Sequence, residues 1–391
     1  MFEKFFEIIE KKLQQLKDQQ LYRSIIDMET AEGMKITIKG RSYINFASND
    51  YLGLSKHPLV KKSAQKAIEL FGVGSGAARL LSGGTLIHKE LEKLICKFKD
   101  SEASLVLNSG YTANSCLIPA IADEDDLILS DELNHASIID GCRLSRAKKL
   151  IYRHKDLQHL IRLIKDTPCN GKKIIITDTV FSMDGDIAPI REIYELCKSE
   201  EALLYIDDAH GTGILGEGHG TLKHFGLSAD NFVIQMGTLS KAVGCFGAFV
   251  CSTDILINWF INSARGFIFS TALPSSVVAS SYASLKIIME DKTLIKKLWE
   301  NTQRVMNTIK TLKLSTTDTQ TPIIPILFEN IEDAMRASNI LNNSGIYAPV
   351  IKPPTVRTPR IRISISAGHT EEDIERLNKA LINLYQQPHQ A

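Results

Sequence analysis

Between residues 104 and 251, short apolar runs alternate with stretches of three- and four-residue periodicity. The runs are Ser104-Leu107, Leu127-Leu129, Lys149-Tyr152, Ile174-Thr177, Leu203-Ile206, Phe232-Met236 and Phe246-Cys251. Runs that are apolar throughout, rather than at alternate positions, predict strands buried on both faces. Their spacing predicts an α/β fold with a mostly parallel central sheet and helices on both faces. Ahead of them, Phe2, Phe5, Ile9, Leu13 and Leu16 predict an amphipathic helix over residues 2–20. Its polar face mixes Glu with Lys, which favours docking on the protein body or a partner subunit over a membrane surface. Met34 to Ile38 and Tyr43 to Phe46 flank Gly40-Arg41 as a hairpin. A helix over 58–70 leads to Gly72, Gly74, Gly76, Gly83 and Gly84, a density that suits either a flexible loop or close approach to a ligand. A helix carrying Leu91, Leu94 and Ile95 follows.

Beyond residue 280 the pattern changes. A helix rich in Leu and Ile precedes Thr321 to Leu327, whose prolines fit an edge strand. A helix over 331–343 and a strand from Tyr347 to Ile351 come next. Arg360 to Ser366 alternates strictly, placing Arg360, Arg362, Ser364 and Ser366 on one face and the isoleucines on the other. Thr370 with Asp373 forms a capping box for a closing helix through Ile374, Leu377, Leu381 and Leu384. The expected division is an N-terminal helix and hairpin segment (1–47), a large domain (48–280) and a smaller C-terminal α+β domain (281–391).

With 391 residues, 44% of them hydrophobic and 23% charged, the chain has an ordinary globular composition. A formal net charge of +1 gives no electrostatic reason to expect nucleic acid or an anionic membrane as partner. Seven scattered cysteines form no metal-ligand spacing and read as reduced thiols. No signal-peptide core or membrane-length apolar run is present, so a cytoplasmic protein is expected.

In a parallel sheet, ligands bind beyond the carboxyl ends of the strands. Polar groups follow five of the seven runs. They are Asn108-Ser109-Gly110-Tyr111, then Asp131, Asn134 and His135, then Asp178, Ser182 and Asp184, then Asp207 and His210, and finally Thr238, Ser240 and Lys241. A lysine, an acid and a helix N-terminus are what pyridoxal phosphate needs: an amine for its aldehyde, a carboxylate to keep its ring nitrogen protonated, and amides for its phosphate. Lys241 fits the first role and Asp207 the second. His210 is placed to reach the phenolic oxygen, His135 to stack on the ring, and Thr238 with the Ser109-Gly110-Tyr111 turn to hold the phosphate. Taken singly, each has a bland alternative as a solvated or structural residue; their joint occurrence at strand ends argues for one site. A competing pattern, Gly211-x-Gly213-x-x-Gly216 with Asp230 downstream, matches a dinucleotide fingerprint. Gly218 and Gly220 spoil the helix that should open there, so a nicotinamide-dependent oxidoreductase is the weaker reading.

The motifs Ser48-Asn49-Asp50-Tyr51-Leu52-Gly53-Leu54, Asn134-His135-Ala136-Ser137, Val180-Phe181-Ser182-Met183-Asp184-Gly185, Asp207-Asp208-Ala209-His210-Gly211 and Gly237-Thr238-Leu239-Ser240-Lys241 together resemble the α-oxoamine synthases. These are PLP-dependent transferases of fold type I. The resemblance runs through nearly the whole chain. Met183 to Pro189, Thr321 to Pro325 and Ile346 to Val356 favour the branch that joins L-alanine to a pimeloyl thioester, carried by coenzyme A or acyl carrier protein. Other branches take glycine with acetyl or succinyl thioesters, or serine with a long acyl chain. Arg357-Thr358-Pro359 is shorter than the family's usual turn and lacks its glycine.

The resemblance implies catalysis by Lys241, His135, Asp207 and His210. It places Ser182 and His210 at the phenolic oxygen and Gly110, Tyr111 and Thr238 at the phosphate. Arg23, Asn49, His135, Thr355 and Arg362 are implied as substrate contacts, with Arg362 taking the amino-acid carboxylate. It also implies a homodimer with the site at the subunit interface, where the 72–84 loop and Thr271 would act. A non-catalytic scaffold would have lost part of this constellation, and no member is missing.

Overall fold

The computed structural model describes residues 2–386. All seven apolar runs are strands of one sheet: β1 (Ala103–Leu107), β2 (Leu127–Asp131), β3 (Lys148–Tyr152), β4 (Lys173–Asp178), β5 (Leu203–Asp207), β6 (Val233–Thr238) and β7 (Ala248–Ser252). Their spatial order is β1-β7-β6-β5-β4-β2-β3. Pairings from β6 across to β3 are parallel, and β7 runs antiparallel to both β6 and β1. The alternation of side chains along β4 shows why the runs had to be apolar throughout. Ile174 and Ile176 pack with Leu117, Ile118 and Phe260 on one face, while Ile175 packs with Leu160, Ile193 and Tyr194 on the other. Burial on both faces leaves the strand ends as the place for polar chemistry. The parallel order collects the ends of β2, β4, β5 and β6 along one edge.

The C-terminal part builds a three-stranded antiparallel sheet with Arg360–Ser364 between Ile323–Leu327 and Val350–Ile351. Ile323–Leu327 is an edge strand, as its Pro325 requires. The strand expected over 347–351 is divided. Ile346–Tyr347 pairs in parallel with Arg41–Asn45, whereas Val350–Ile351 joins Arg360–Ser364. Pro349, which has no N–H to donate, stands between the two pairings. The hairpin is Lys35–Ile38 with Arg41–Asn45, extended by Thr30–Glu32. The capping box forms reciprocally, Thr370 N–H donating to Asp373 and Asp373 N–H to Thr370 Oγ1.

The helix Phe2–Asp18 has no buried residue, so it does not dock on the body of its own chain; its apolar side, Phe2, Phe5, Ile9, Leu13 and Leu16, is exposed. The helix Ser275–Glu290 runs through position 280 and packs on Pro58–Phe71 and Leu86–Lys99. We therefore propose that the large unit continues to Glu290. No described helix is long and apolar enough to cross a membrane.

Behind the strand ends lies a buried ion pair. Lys99 Nζ donates to Asp208 Oδ2 at 2.7 Å, with both side chains 1% exposed. Asp208 also accepts from Thr179, Thr212 and Thr221, and Lys99 from its side reaches Thr212 Oγ1 and the carbonyl of His219. Gly220 is required beside it, because a Cβ there would lie 2.0 Å from Asp208 Oδ2 and 2.4 Å from Lys99 Nζ. A buried charge stripped of its partner is costly, so Lys99→Ala is expected to destabilise the fold by about 3–5 kcal/mol. Chemical denaturation should show a lower midpoint; an unchanged midpoint would contradict this account.

Candidate active site

Lys241 sits in the connection from β6 to β7, held by Leu239 N–H donating to the carbonyl of Gly247 (2.9 Å) and Gly244 N–H donating to the carbonyl of Lys241 (2.8 Å). Gly244 has φ +71°, and a Cβ there would meet Ser55 N at 2.5 Å, so a side chain at this position is excluded twice over. Among the described residues the Lys241 amine has neither an ion-pair nor a hydrogen-bond partner. Burial pushes its pKa below the usual lysine range, opposed by the charges of Asp207 and Asp178 and assisted by Arg362. A lysine so placed is readily deprotonated and free to react.

Asp207 ends β5. Its Oδ2 accepts from Asn114 Nδ2 at 2.7 Å and its Oδ1 from Ala209 N–H at 3.0 Å. Asn114 is fully buried and also bonds Ser137 Oγ and the Tyr205 hydroxyl, which fixes the orientation of its amide. Asp178, at the end of β4, accepts the backbone N–H of His135 at 2.6 Å. Burial, together with the charge of Asp207, raises the Asp178 pKa well above the carboxylate range. His135 is the N-cap of the helix Ala136–Leu144, and its Nδ1 pairs with Ser137 Oγ at 2.7 Å. Burial lowers its pKa, with Asp207 opposing.

His210 follows β5 through the turn 207–211. Its Nδ1 lies 2.8 Å from the Tyr51 hydroxyl. Burial lowers its pKa well below the usual value, and the nearby Lys241 and Arg362 push it further, so the ring is neutral. Tyr51 is fully buried and its hydroxyl accepts from Arg362 at 3.2 Å. Its own proton has two acceptors in reach, His210 Nδ1 and Asn49 Oδ1 (3.3 Å), so the hydroxyl ties Arg362, His210 and Asn49 together.

Arg362 is brought in from Arg360–Ser364. It donates to the Ser182 carbonyl (2.6 Å), Ser364 Oγ (2.8 Å), Asn49 Oδ1 (3.1 Å) and Tyr51. Arg360, on the same face, donates to the Met183 carbonyl and pairs with Asp184 at 2.8 Å. Both arginines are buried, so this face is not a solvated one. They differ in charge balance. Arg360 has a carboxylate, and Arg362 has none among the described residues.

The phosphate-side residues also come together. Ser109 caps the helix Gly110–Ile121 by accepting from Thr112 N–H, leaving the first-turn amides of Gly110 and Tyr111 free. A Cβ on Gly110 would lie 2.8 Å from Thr238 Cγ2, so glycine allows the helix start to abut Thr238. The Tyr111 side chain is exposed and bonds Asp140. Arg23 and Thr355, far apart in sequence, meet at 3.0 Å, beside Lys352, which donates to the carbonyls of Gln20 and Tyr22. This pair is built from the N-terminal segment and the C-terminal unit. The glycine pattern from Gly211 opens no α-helix: turns and a single 3-10 turn, Gly216–Gly218, lead to the short helix Thr221–Phe225, and Asp230 accepts from Tyr194. The dinucleotide reading therefore lacks its phosphate-binding helix.

Sequence reasoning assigned no role to Asn114 or Tyr51. A single polar residue within the helical pattern 110–121 gives no sign that it faces a carboxylate. Tyr51 lies in a motif from which only Asn49 is singled out by the sequence.

The family model for aminotransferase class I and II matches residues 41–381. The chain belongs to this family. Its sequence relatives narrow the placement to the 8-amino-7-oxononanoate synthases. A protein provisionally named so from Thermodesulfovibrio yellowstonii is 70% identical, over 97% of this chain and 98% of that one. The 8-amino-7-oxononanoate synthase of Thermoanaerobacter pseudethanolicus is 44% identical over 96% and 95%. Among solved structures, a lysine-to-alanine variant of serine palmitoyltransferase from S. paucimobilis with a bound PLP–myriocin aldimine superposes with TM-score 0.92 at 28% identity, covering 98% of both chains. The 8-amino-7-oxononanoate synthase from Francisella tularensis gives 0.76 at 28% identity, covering 88% of this chain and 97% of that one. Shape alone thus does not separate the branches; the placement rests on the sequence relatives at 70% and 44% identity.

The hydroxyl of Tyr51 serves two buried groups at once. Tyr51→Phe should cost about 1–3 kcal/mol by leaving Arg362 and His210 short of a partner. Equilibrium denaturation in urea measures it, and a loss below a few tenths would contradict the bonding described.

Proposed function

We propose that this chain condenses L-alanine with a pimeloyl thioester to give 8-amino-7-oxononanoate, CO2 and the free carrier thiol, the acyl-transfer step of biotin synthesis. The observation that carries this reading is an unpaired, readily deprotonated amine, Lys241, together with a guanidinium that has no carboxylate partner among the described residues, Arg362, in a site shared with Asp207, His135 and His210. One takes an aldehyde and the other a carboxylate.

The residues present fit pyridoxal phosphate. The start of the helix Gly110–Ile121, with Thr238 against it, offers amides and a hydroxyl to a phosphate. Asp207, held by Asn114 and Ala209 N–H, offers a fixed carboxylate to a ring nitrogen. When bound, the cofactor supplies an aldehyde for covalent attachment and a ring that accepts the electrons released at the substrate Cα.

The roles of the side chains follow. Lys241 Nζ, held below the usual lysine pKa, would be the amine that holds the cofactor's aldehyde and the base that moves the proton at the Cα of L-alanine. Asp207 would keep the proton on the ring nitrogen. Neutral His210 and Ser182 would bind the phenolic oxygen. His135 would stack on the ring and steady the carboxylate that departs. Arg362, oriented by Ser182, Ser364 and Asn49, binds the carboxylate of L-alanine in a charge-assisted contact. Arg23 and Thr355 sit where the acyl chain enters, and the donor is pimeloyl-CoA or pimeloyl-acyl carrier protein.

The reading includes a homodimer in a cytoplasmic setting. It is supported by large apolar side chains left exposed around the glycine-rich loop, among them Leu70, Val73, Leu81 and Leu86, and by the uncovered face of the helix Phe2–Asp18. Thr271 contacts this loop through the bridge to Ala78 and would line the shared interface.

The decisive experiment is spectroscopic. Purified protein reconstituted with pyridoxal phosphate should show a visible band that borohydride abolishes, leaving the cofactor fixed to Lys241 by peptide mapping. L-Alanine, in preference to glycine or serine, should perturb that band, and turnover should require a pimeloyl thioester. Lys241→Ala should fold, retain cofactor only loosely and show no turnover. A band absent from wild-type protein after reconstitution would overturn the reading.

A further inference from the structure

The turn between β4 and the helix Ile190–Ser199 carries Ser182, whose carbonyl fixes Arg362 Nε, and Met183 and Asp184, which hold Arg360. It closes on itself through Phe181 N–H to the Asp186 carbonyl, Gly185 N–H to the Phe181 carbonyl and the bridge Val180–Ile187. On one side it is tied to the C-terminal unit by these two arginines. On the other side it is tied to the central sheet through His154.

His154 follows β3, the edge strand two places from β4 with β2 between them. Its Nδ1 lies 3.0 Å from Asp131 Oδ1, at the end of β2, and its Nε2 lies 2.9 Å from Asp186 Oδ2, in the turn. The ring stands edge-on to Phe181, with centroids 4.3 Å apart. Both carboxylates are buried. A neutral imidazole can donate from only one nitrogen and would set a lone pair against the second carboxylate; an imidazolium satisfies both. The other charged groups facing this cluster are Lys155, whose Nζ reaches Asp186 at 2.9 Å, and Glu132, which accepts the His154 backbone N–H. Consistently, the bonds to Asp131 and Asp186 outweigh burial and raise the His154 pKa to about 9.

We propose that His154, as an imidazolium bridging Asp131 and Asp186, is a positioning residue for amino-acid binding: it clamps the 180–187 turn to the sheet, and the turn in turn sets Arg362. The inference rests on the proposed function, in which Arg362 takes the carboxylate of L-alanine. No atom of His154 touches the substrate. Its action is on the geometry of the Ser182 carbonyl, which is why it should be felt in substrate affinity before it is felt in chemistry.

The sign of the pH effect is fixed by the direction of the shift. A histidine raised above its unfolded value lends its full contribution below pH 6.5, the unfolded value, and loses it as pH rises through about 9. The affinity for L-alanine should therefore fall above pH 9 in the wild type. In His154→Gln, which keeps one amide donor but no titrating charge, the affinity should be weaker by about tenfold, the scale of a small misplacement in a binding group. Its pH dependence across that range should flatten.

The test is a titration of cofactor absorbance with L-alanine, from pH 7 to 10, on reconstituted wild type, His154→Gln and Asp186→Asn. Asp186→Asn removes the turn's half of the bridge, so it stands in if His154→Gln fails to fold. Weakened amino-acid binding with an intact resting spectrum, and with kcat changed less than KM, supports the clamp. Unchanged affinity, or a wild-type pH profile retained in either variant, overturns it. If the wild type responds to glycine or serine instead of L-alanine, the proposed substrate fails while the same titration with that amino acid still tests the clamp. If no amino acid perturbs the wild-type spectrum, both fall.

Discussion

Everything at the strand ends is arranged around a lysine amine that has no partner of its own. An unpaired ammonium in a desolvated place is unstable, and the protein lowers its cost by making the neutral amine accessible. The two carboxylates, Asp207 and Asp178, pull the other way, and Arg362 pushes with burial. If either carboxylate paired directly with Lys241, the amine would be a structural cation and chemically inert. Asp207 is kept from doing so by Asn114 and Ala209 N–H, and Asp178 by the backbone of His135. The bonds that hold these carboxylates are therefore as much a part of the site as the lysine.

A second layer of order comes from long-range ties. Arg360 and Arg362 cross from the C-terminal sheet to the turn after β4, and Arg362 reaches Asn49 and Tyr51 in the N-terminal part. Two distant segments of chain are thereby held by donors from one strand. The same strand is buried on both faces, which explains why its isoleucines and its arginines are both required: one set fills the core and the other closes the site.

The sheet was legible because each strand carries its own signal. Unbroken apolar runs such as Ile174 to Ile176 permit few alternatives, and all seven became strands. Lys241, Asp207, His210 and His135 were legible because a parallel sheet delivers its strand ends to one edge. Asn114, Lys99 and His154 were not. Each is a single polar residue whose meaning depends on a partner in another element: Asn114 on Asp207, Lys99 on Asp208, His154 on Asp131 and Asp186. Periodicity describes one segment at a time and is silent about such pairs. The division of 346–351 between two sheets was hidden for the same reason, since Pro349 marks a break but does not say where each half goes.

The reversed direction of β7 has a mechanical result. Because β6 and β7 are antiparallel neighbours, the segment bearing Lys241 joins adjacent strands, with Thr238 opposite Ala248 and Cys245 N–H bonded to the carbonyl of Leu239. A connection anchored at both feet behaves as a stiff arch. Nearly all the reach of the amine must then come from rotation about the four carbons of its own side chain, a motion of single bonds that needs no rearrangement of the backbone beneath it.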